Sequence, residues 1–114
     1  MKILTVCRAG LVRSVALADV LKLHFEPTDV IPVGIDFNEP ETISMLCEWA
    51  DIIVVMQAHY KLRFDQKWQS KICVCDVGPD IYGSSKHKDL IEKVFVWARA
   101  TQHILKISEH NKVL

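Results

Sequence analysis

Ile52-Ile53-Val54-Val55-Met56 is an unbroken apolar run with no polar residue at alternate positions. A strand with that pattern is covered on both faces, as the central strands of a parallel sheet are. Parallel neighbours need crossover connections, usually helical, and the flanking sequence supplies them. Upstream, Ile43, Leu46, Cys47 and Ala50 share one helical face, with Asn38 and Glu41 spaced as a capping box. Before that helix, Val30 to Ile35 reads as a strand, and its Pro32, unable to donate to a ladder, assigns it to the sheet edge. At the start, Ile3-Leu4-Thr5-Val6 reads as the first strand, and Leu17, Val20, Leu21, His24 and Phe25 then recur at helical spacing behind Ser14 as the expected cap. Downstream, a short helical segment near 58–66 leads to a fourth strand, Ile72-Cys73-Val74-Cys75. Leu90, Val94, Trp97, Ala98, Thr101, Ile104 and Leu105 then trace one long final helix. The alternation predicts an α/β class with four parallel strands between helical layers.

The 114 residues are half apolar, enough for one small core, and nothing in them marks an internal boundary, so 1–114 reads as a single domain. Fourteen basic and fourteen acidic residues cancel, which leaves no broad field to hold a nucleic-acid backbone or an anionic membrane. Any anion must be bound locally. The first apolar run ends at Cys7 and Arg8, too short for a secretory signal, and no stretch approaches the roughly 18 apolar residues of a membrane span. The expected compartment is the cytoplasm, with Cys7, Cys47, Cys73 and Cys75 as reduced thiols. Gly10, Gly34, Gly78 and Gly83 all fall in loops after the first, second and fourth strands, the strand ends where such sheets bind ligands.

The first of these loops reads Cys7-Arg8-Ala9-Gly10-Leu11-Val12-Arg13-Ser14. A loop of this length can wrap its backbone N–H groups around one tetrahedral anion, and the helix that follows adds its positive end on the same side. Arg13 supplies a planar fork for two phosphate oxygens, which lysine cannot do with the same geometry. Gly10 suits a turn with positive φ. The donors that hold a phosphate also stabilise a thiolate when the loop is empty, with the Ser14 hydroxyl placed to help. Cys7 is therefore the candidate nucleophile, and residues 8–14 the candidate phosphate cradle. Breaking a phosphate ester also needs a proton donor for the leaving oxygen. Asp80, bracketed by Gly78 and Gly83, is the first candidate, and Asp76, at the end of the fourth strand, is the alternative. Tyr82 is a candidate aromatic wall for the substrate ring.

With these motifs the chain resembles the low-molecular-weight protein tyrosine phosphatase family, in particular its compact bacterial-type members. The resemblance extends from Cys7–Ser14 through Ala18-Asp19, Trp49 to Met56 with His59, and Val77-Gly78-Pro79-Asp80-Ile81-Tyr82-Gly83. It implies a four-stranded parallel sheet in the order 2-1-3-4 and a phosphatase that forms a phosphocysteine on Cys7, with no metal or other cofactor. In the family, a branched aliphatic residue at the place of Leu11 accompanies phosphotyrosine preference, and threonine there accompanies phosphoarginine. The implied substrate is thus a phosphorylated protein or small aryl phosphate. The chain departs from the family pattern at Ala9-Gly10, at Val12, at Val15, and in the order Pro79-Asp80.

Arg8, unusual beside the nucleophile, reads as a surface arginine, or else as a contact for a further acidic group on the substrate. Two other function classes stay open. Arsenate reductases of the thioredoxin-coupled type share this loop and relay electrons through further cysteines, which Cys73 and Cys75 bring to mind. Two residues apart on a strand, however, they point the same way and read as core packing. The third class is a phosphate-binding module or phosphocysteine carrier without turnover, and Arg13 argues against the carrier. Cys47 reads as a small core residue, and the histidines show no ligand spacing with cysteines.

Overall fold

The computed structural model describes residues 1–26 and 29–110. Its main sheet contains β1 (Lys2–Cys7), β3 (Asp29–Gly34), β4 (Ile52–Val55) and β5 (Ile72–Val74), all parallel, in the order β3-β1-β4-β5. These are the four expected strands in the expected order. Pro32 sits on β3, which pairs only with β1, so its missing donor costs the ladder nothing. The added element is β2 (Phe25–Glu26), which pairs antiparallel with β6 (Ser108–Glu109) as a separate ribbon.

Side chains alternate between two apolar layers. Ile3, Cys7, Val54 and Met56 pack with α1 (Arg13–His24) and α3 (Lys88–Ala100), through Leu17, Leu21, Leu90 and Val94. Leu4, Val6, Ile53 and Val55 face the other way, against Cys47 of α2 (Pro40–Trp49) and against Tyr60, Phe64 and Trp68. The result is a three-layer α/β sandwich. Registration of Cys7 with Gly34 and of Val6 with Val55 brings the carboxyl ends of the strands to one edge of the sheet. Strand order reverses between β1 and β4, so the loops after those two strands flank the crevice where such sheets take ligands.

Four local expectations are corrected. Ser14 does not cap α1: the helix begins at Arg13 after Val12, with no side-chain cap, and the Ser14 hydroxyl is directed to Cys7 instead. Asn38 does not begin a capping box, because Pro40, which lacks an N–H, takes the first position of α2 and Asn38 Nδ2 donates to Gly34 O at 2.8 Å. The segment near 58–66 is two 3-10 helices, Ala58–Arg63 and Gln66–Lys71. The final helix ends at Ala100, because the Thr101 hydroxyl bonds back to Trp97 O at 2.8 Å and the chain restarts as the short α4 (Gln102–Leu105), leaving Ile104 exposed. No described helix is long and apolar enough to cross a membrane.

Candidate active site

Cys7 is the last residue of β1 and is buried. The loop that follows is fastened to the chain after β3, with Ile35 N–H donating to Cys7 O at 2.9 Å and Asp36 N–H to Arg8 O at 3.0 Å. This close approach needs two glycines. A Cβ on Gly34 would lie 2.2 Å from the Ala9 carbonyl carbon, and one on Gly10, at φ +75°, would lie 2.4 Å from Gly34 N. Both collisions are with backbone, which cannot rotate away. Gly34→Ala is expected to lower stability by about 1–3 kcal/mol and to weaken inorganic phosphate binding. Urea denaturation and calorimetric titration check the two effects; unchanged values would remove the steric role.

The loop curls back over its own first side chain. Gly10 N–H donates to Cys7 Sγ at 3.2 Å, and Ser14 Oγ lies 3.1 Å from the same sulfur. Thr5 Oγ1 donates to Ser14 O at 2.9 Å, which fixes the first turn of α1 over β1. Hydrogen bonds to sulfur and a helix N-terminus are the surroundings that make a cysteine nucleophilic. The uncapped first turn leaves amides for an outside acceptor.

Arg13 is 1% exposed, which is unusual for a guanidinium. Nη1 donates to Gln57 Oε1 and to Gly78 O at 3.0 Å, and Nη2 donates to Tyr60 OH at 3.0 Å. All three acceptors are neutral, and among the described residues no carboxylate pairs with it. Nε is buried without a partner. Of five N–H donors, three are engaged, and the two left over belong to Nε and Nη2, the atoms that share one edge of the plane. That edge is the fork that binds two oxygens of one oxyanion. Gln57 and Tyr60 received no role from the sequence. Their signal is that Gln57 directly follows the buried run ending at Met56, at the carboxyl end of a central strand.

The loop after β5 holds both candidate acids. Asp76 Oδ1 accepts Gly78 N–H at 2.9 Å, an Asx turn closed by Gly78 at φ +80°, and this turn presents Gly78 O to Arg13. Asp80 is exposed at the centre of a tight turn in which Ile81 N–H donates to Pro79 O at 2.9 Å. Tyr82 is buried rather than presented as an open wall. Its hydroxyl donates to Val77 O at 2.5 Å and accepts from Lys93 Nζ at 2.8 Å, so the ring anchors the loop from beneath. Elsewhere in the cradle, Leu11 is 72% exposed and Ala9 and Val12 are half-buried. Arg8 is exposed, with Nε 3.4 Å from Asp36 Oδ2.

All four cysteines are free. Burial pushes the Cys47 thiol up to about 11, and burial likewise raises Cys73 and, more strongly, Cys75, where the nearby Asp76 carboxylate adds to the effect. These three thiols stay protonated and are poor nucleophiles. Among the described residues no three His, Cys, Asp or Glu side chains gather as a metal-binding set.

No family model matches the chain, and no curated protein matches it in sequence. Solved structures do share its fold. The YwlE arginine phosphatase from Geobacillus stearothermophilus superposes with a TM-score of 0.63 at 16% identity, covering 99% of each chain. A protein tyrosine phosphatase gives 0.62 at 17% identity, over 88% of this chain and 95% of its own. Vibrio vulnificus Wzb, in complex with benzylphosphonate, gives 0.57 at 19% identity, over 87% of this chain and 97% of its own. The fold of the chain is the one these three structures share.

Proposed function

We propose that this chain is a cysteine-dependent phosphatase that hydrolyses phosphotyrosine or another aryl phosphate through a phosphocysteine on Cys7. One observation carries the reading: a buried guanidinium, held only by neutral acceptors, keeps one edge unsatisfied at the end of the loop that starts at the candidate nucleophile. A buried charge without a counter-charge is costly, and a bound oxyanion supplies both the charge and the acceptors. The fold it shares with solved phosphatases supports the same chemistry.

In the first step the Cys7 thiolate attacks phosphorus in line. The S–P bond forms as the P–O bond to the leaving group breaks, and the departing oxygen takes a proton from Asp80. The Asp80 carboxylate then takes a proton from water, whose oxygen attacks phosphorus; the S–P bond breaks, releasing phosphate and restoring the thiolate. Arg13 and the loop amides hold the equatorial oxygens throughout. The two aspartates divide the work: Asp76 shapes the turn that brings Gly78 O to Arg13, and Asp80 is the acid. Leu11 and Phe37, which is 68% exposed and follows Asp36 on the adjoining loop, give the rim an apolar character suited to an aromatic ring. The burial of Cys75 and the raised thiols of Cys73 and Cys75 favour the phosphatase over the redox reading. A nucleophilic thiol of this kind suits the reducing cytoplasm.

Hydrolysis of an aryl phosphate, unaffected by EDTA and blocked by vanadate, tests the reading, and thiol-dependent arsenate reduction in its place would overturn it. Asp80→Asn is expected to lower kcat by roughly 10²- to 10⁴-fold and to remove the alkaline limb of the pH–rate profile, because the acid works only while protonated. Asp76→Asn keeps that limb. The reverse pattern would exchange the two roles.

A further inference from the structure

On the rim of the phosphate loop, two arginines converge on one carboxylate. Arg8 Nε lies 3.4 Å from Asp36 Oδ2 and Arg63 Nη1 donates to Asp36 Oδ1 at 2.6 Å, so the trio carries a net positive charge. The Arg8 and Arg63 side chains are 64% and 46% exposed, against 32% for Asp36. Asp36 occupies one nitrogen of each guanidinium, and the others have no protein acceptor among the described residues. A single carboxylate thus holds two cations side by side at the surface, with donors to spare.

Arg63 also borders a depression of about 220 Å³ whose apolar wall is Ile35, Ile43, Phe64 and Trp68 and whose polar rim includes Asn38, Ser44 and Asp65. Ile35, whose amide holds Cys7 O, lines the depression together with Arg63, so the depression adjoins both the nucleophile's strand end and the paired arginines. Its volume falls below the roughly 300 Å³ of an ordinary small-molecule cavity, room for one side chain against the Phe64 and Trp68 wall. An extended peptide advances about 3.3 Å per residue. With its phosphorylated side chain in the loop, such a peptide brings its neighbouring residues first to the arginines and then to the depression. A small phosphate ester has nothing to place there.

We propose that Arg8, Arg63 and the adjoining depression form a docking subsite for the polypeptide flanking the phosphorylated residue. The subsite selects a carboxylate side chain beside the phosphotyrosine and an apolar one beyond it. This rests on the phosphatase reading and narrows its substrate to a phosphoprotein with acidic and apolar flanks.

The test compares phosphotyrosine peptides with a Glu-then-Leu flank, a Lys-then-Leu flank and a Glu-then-Ser flank, on either side of the phosphotyrosine, with para-nitrophenyl phosphate as the small substrate. The wild-type chain is expected to favour Glu over Lys by about fivefold or more in kcat/KM, through KM, with the preference shrinking at high salt. The Ser flank is expected to raise KM. Arg63→Glu abolishes or reverses the charge preference while para-nitrophenyl phosphate turnover stays within about twofold, which also reports an intact fold. Equal kcat/KM for the Glu and Lys peptides, or a preference that survives Arg63→Glu, would overturn the docking subsite and leave the phosphatase reading standing. Absence of all hydrolysis would strike the phosphatase reading instead. Anisotropy measurements of the same peptides binding to Cys7→Ser then decide the subsite independently.

Discussion

Cys7→Ser is expected to lower aryl phosphate turnover by roughly a thousandfold or more while leaving inorganic phosphate affinity within a few-fold. Serine is close to isosteric, so the Gly10 N–H donor and the neighbouring Ser14 hydroxyl remain in place. What is lost is the nucleophile, because an alcohol is a far weaker acid and a poorer nucleophile than a thiol. Steady-state kinetics with para-nitrophenyl phosphate, paired with calorimetric titration of phosphate, separates the two effects. Loss of turnover with retained binding is the predicted result. Undiminished turnover would end the phosphocysteine mechanism.

Arg13→Lys is the second large effect, and it reaches both activity and stability. The wild-type guanidinium serves Gln57, Gly78 O and Tyr60 together and keeps a bidentate edge free. An ammonium has three donors around one point and cannot satisfy those acceptors while also forking two oxygens. kcat is expected to fall by roughly 10²- to 10³-fold. Phosphate affinity is expected to fall by about tenfold, and folding stability by about 1–3 kcal/mol as buried acceptors lose their partner. Kinetics, titration and urea denaturation measure the three. A variant with near-normal kcat would show that Arg13 is a buried structural cation and no part of the reaction.

The portions of this molecule legible in the sequence are those whose cause is local. Ile52 to Val55 reads as a central strand because burial on both faces leaves a continuous apolar run. Pro32 reads as an edge because it lacks a donor, and β3 does have one neighbour only. The cradle was visible because its cysteine, glycine, arginine and serine are all within eight consecutive residues. The partners of Arg13 were not, since Gln57, Tyr60 and Gly78 stand 44, 47 and 65 residues away and meet it only through the parallel register of β1, β4 and β5. Ser14 shows the opposite failure. A local rule makes it a helix cap, but the tertiary structure places its hydroxyl on Cys7 Sγ instead. Tyr82 reads as a pocket wall from its loop position alone, whereas Val77 O and Lys93 Nζ, five and eleven residues away, hold its hydroxyl. The β2–β6 ribbon, two residues on each strand, is too short to leave a pattern.

The charge and fork left open on Arg13 are the centre of the account, and a crystal structure grown with an excess of phosphate or tungstate tests them most directly. The predicted result is one oxyanion above Cys7 Sγ, ringed by loop amides, with Arg13 Nε and Nη2 each about 2.7–2.9 Å from a separate oxygen. An empty loop at saturating oxyanion, with Nε still unpartnered and the anion bound elsewhere, would contradict it.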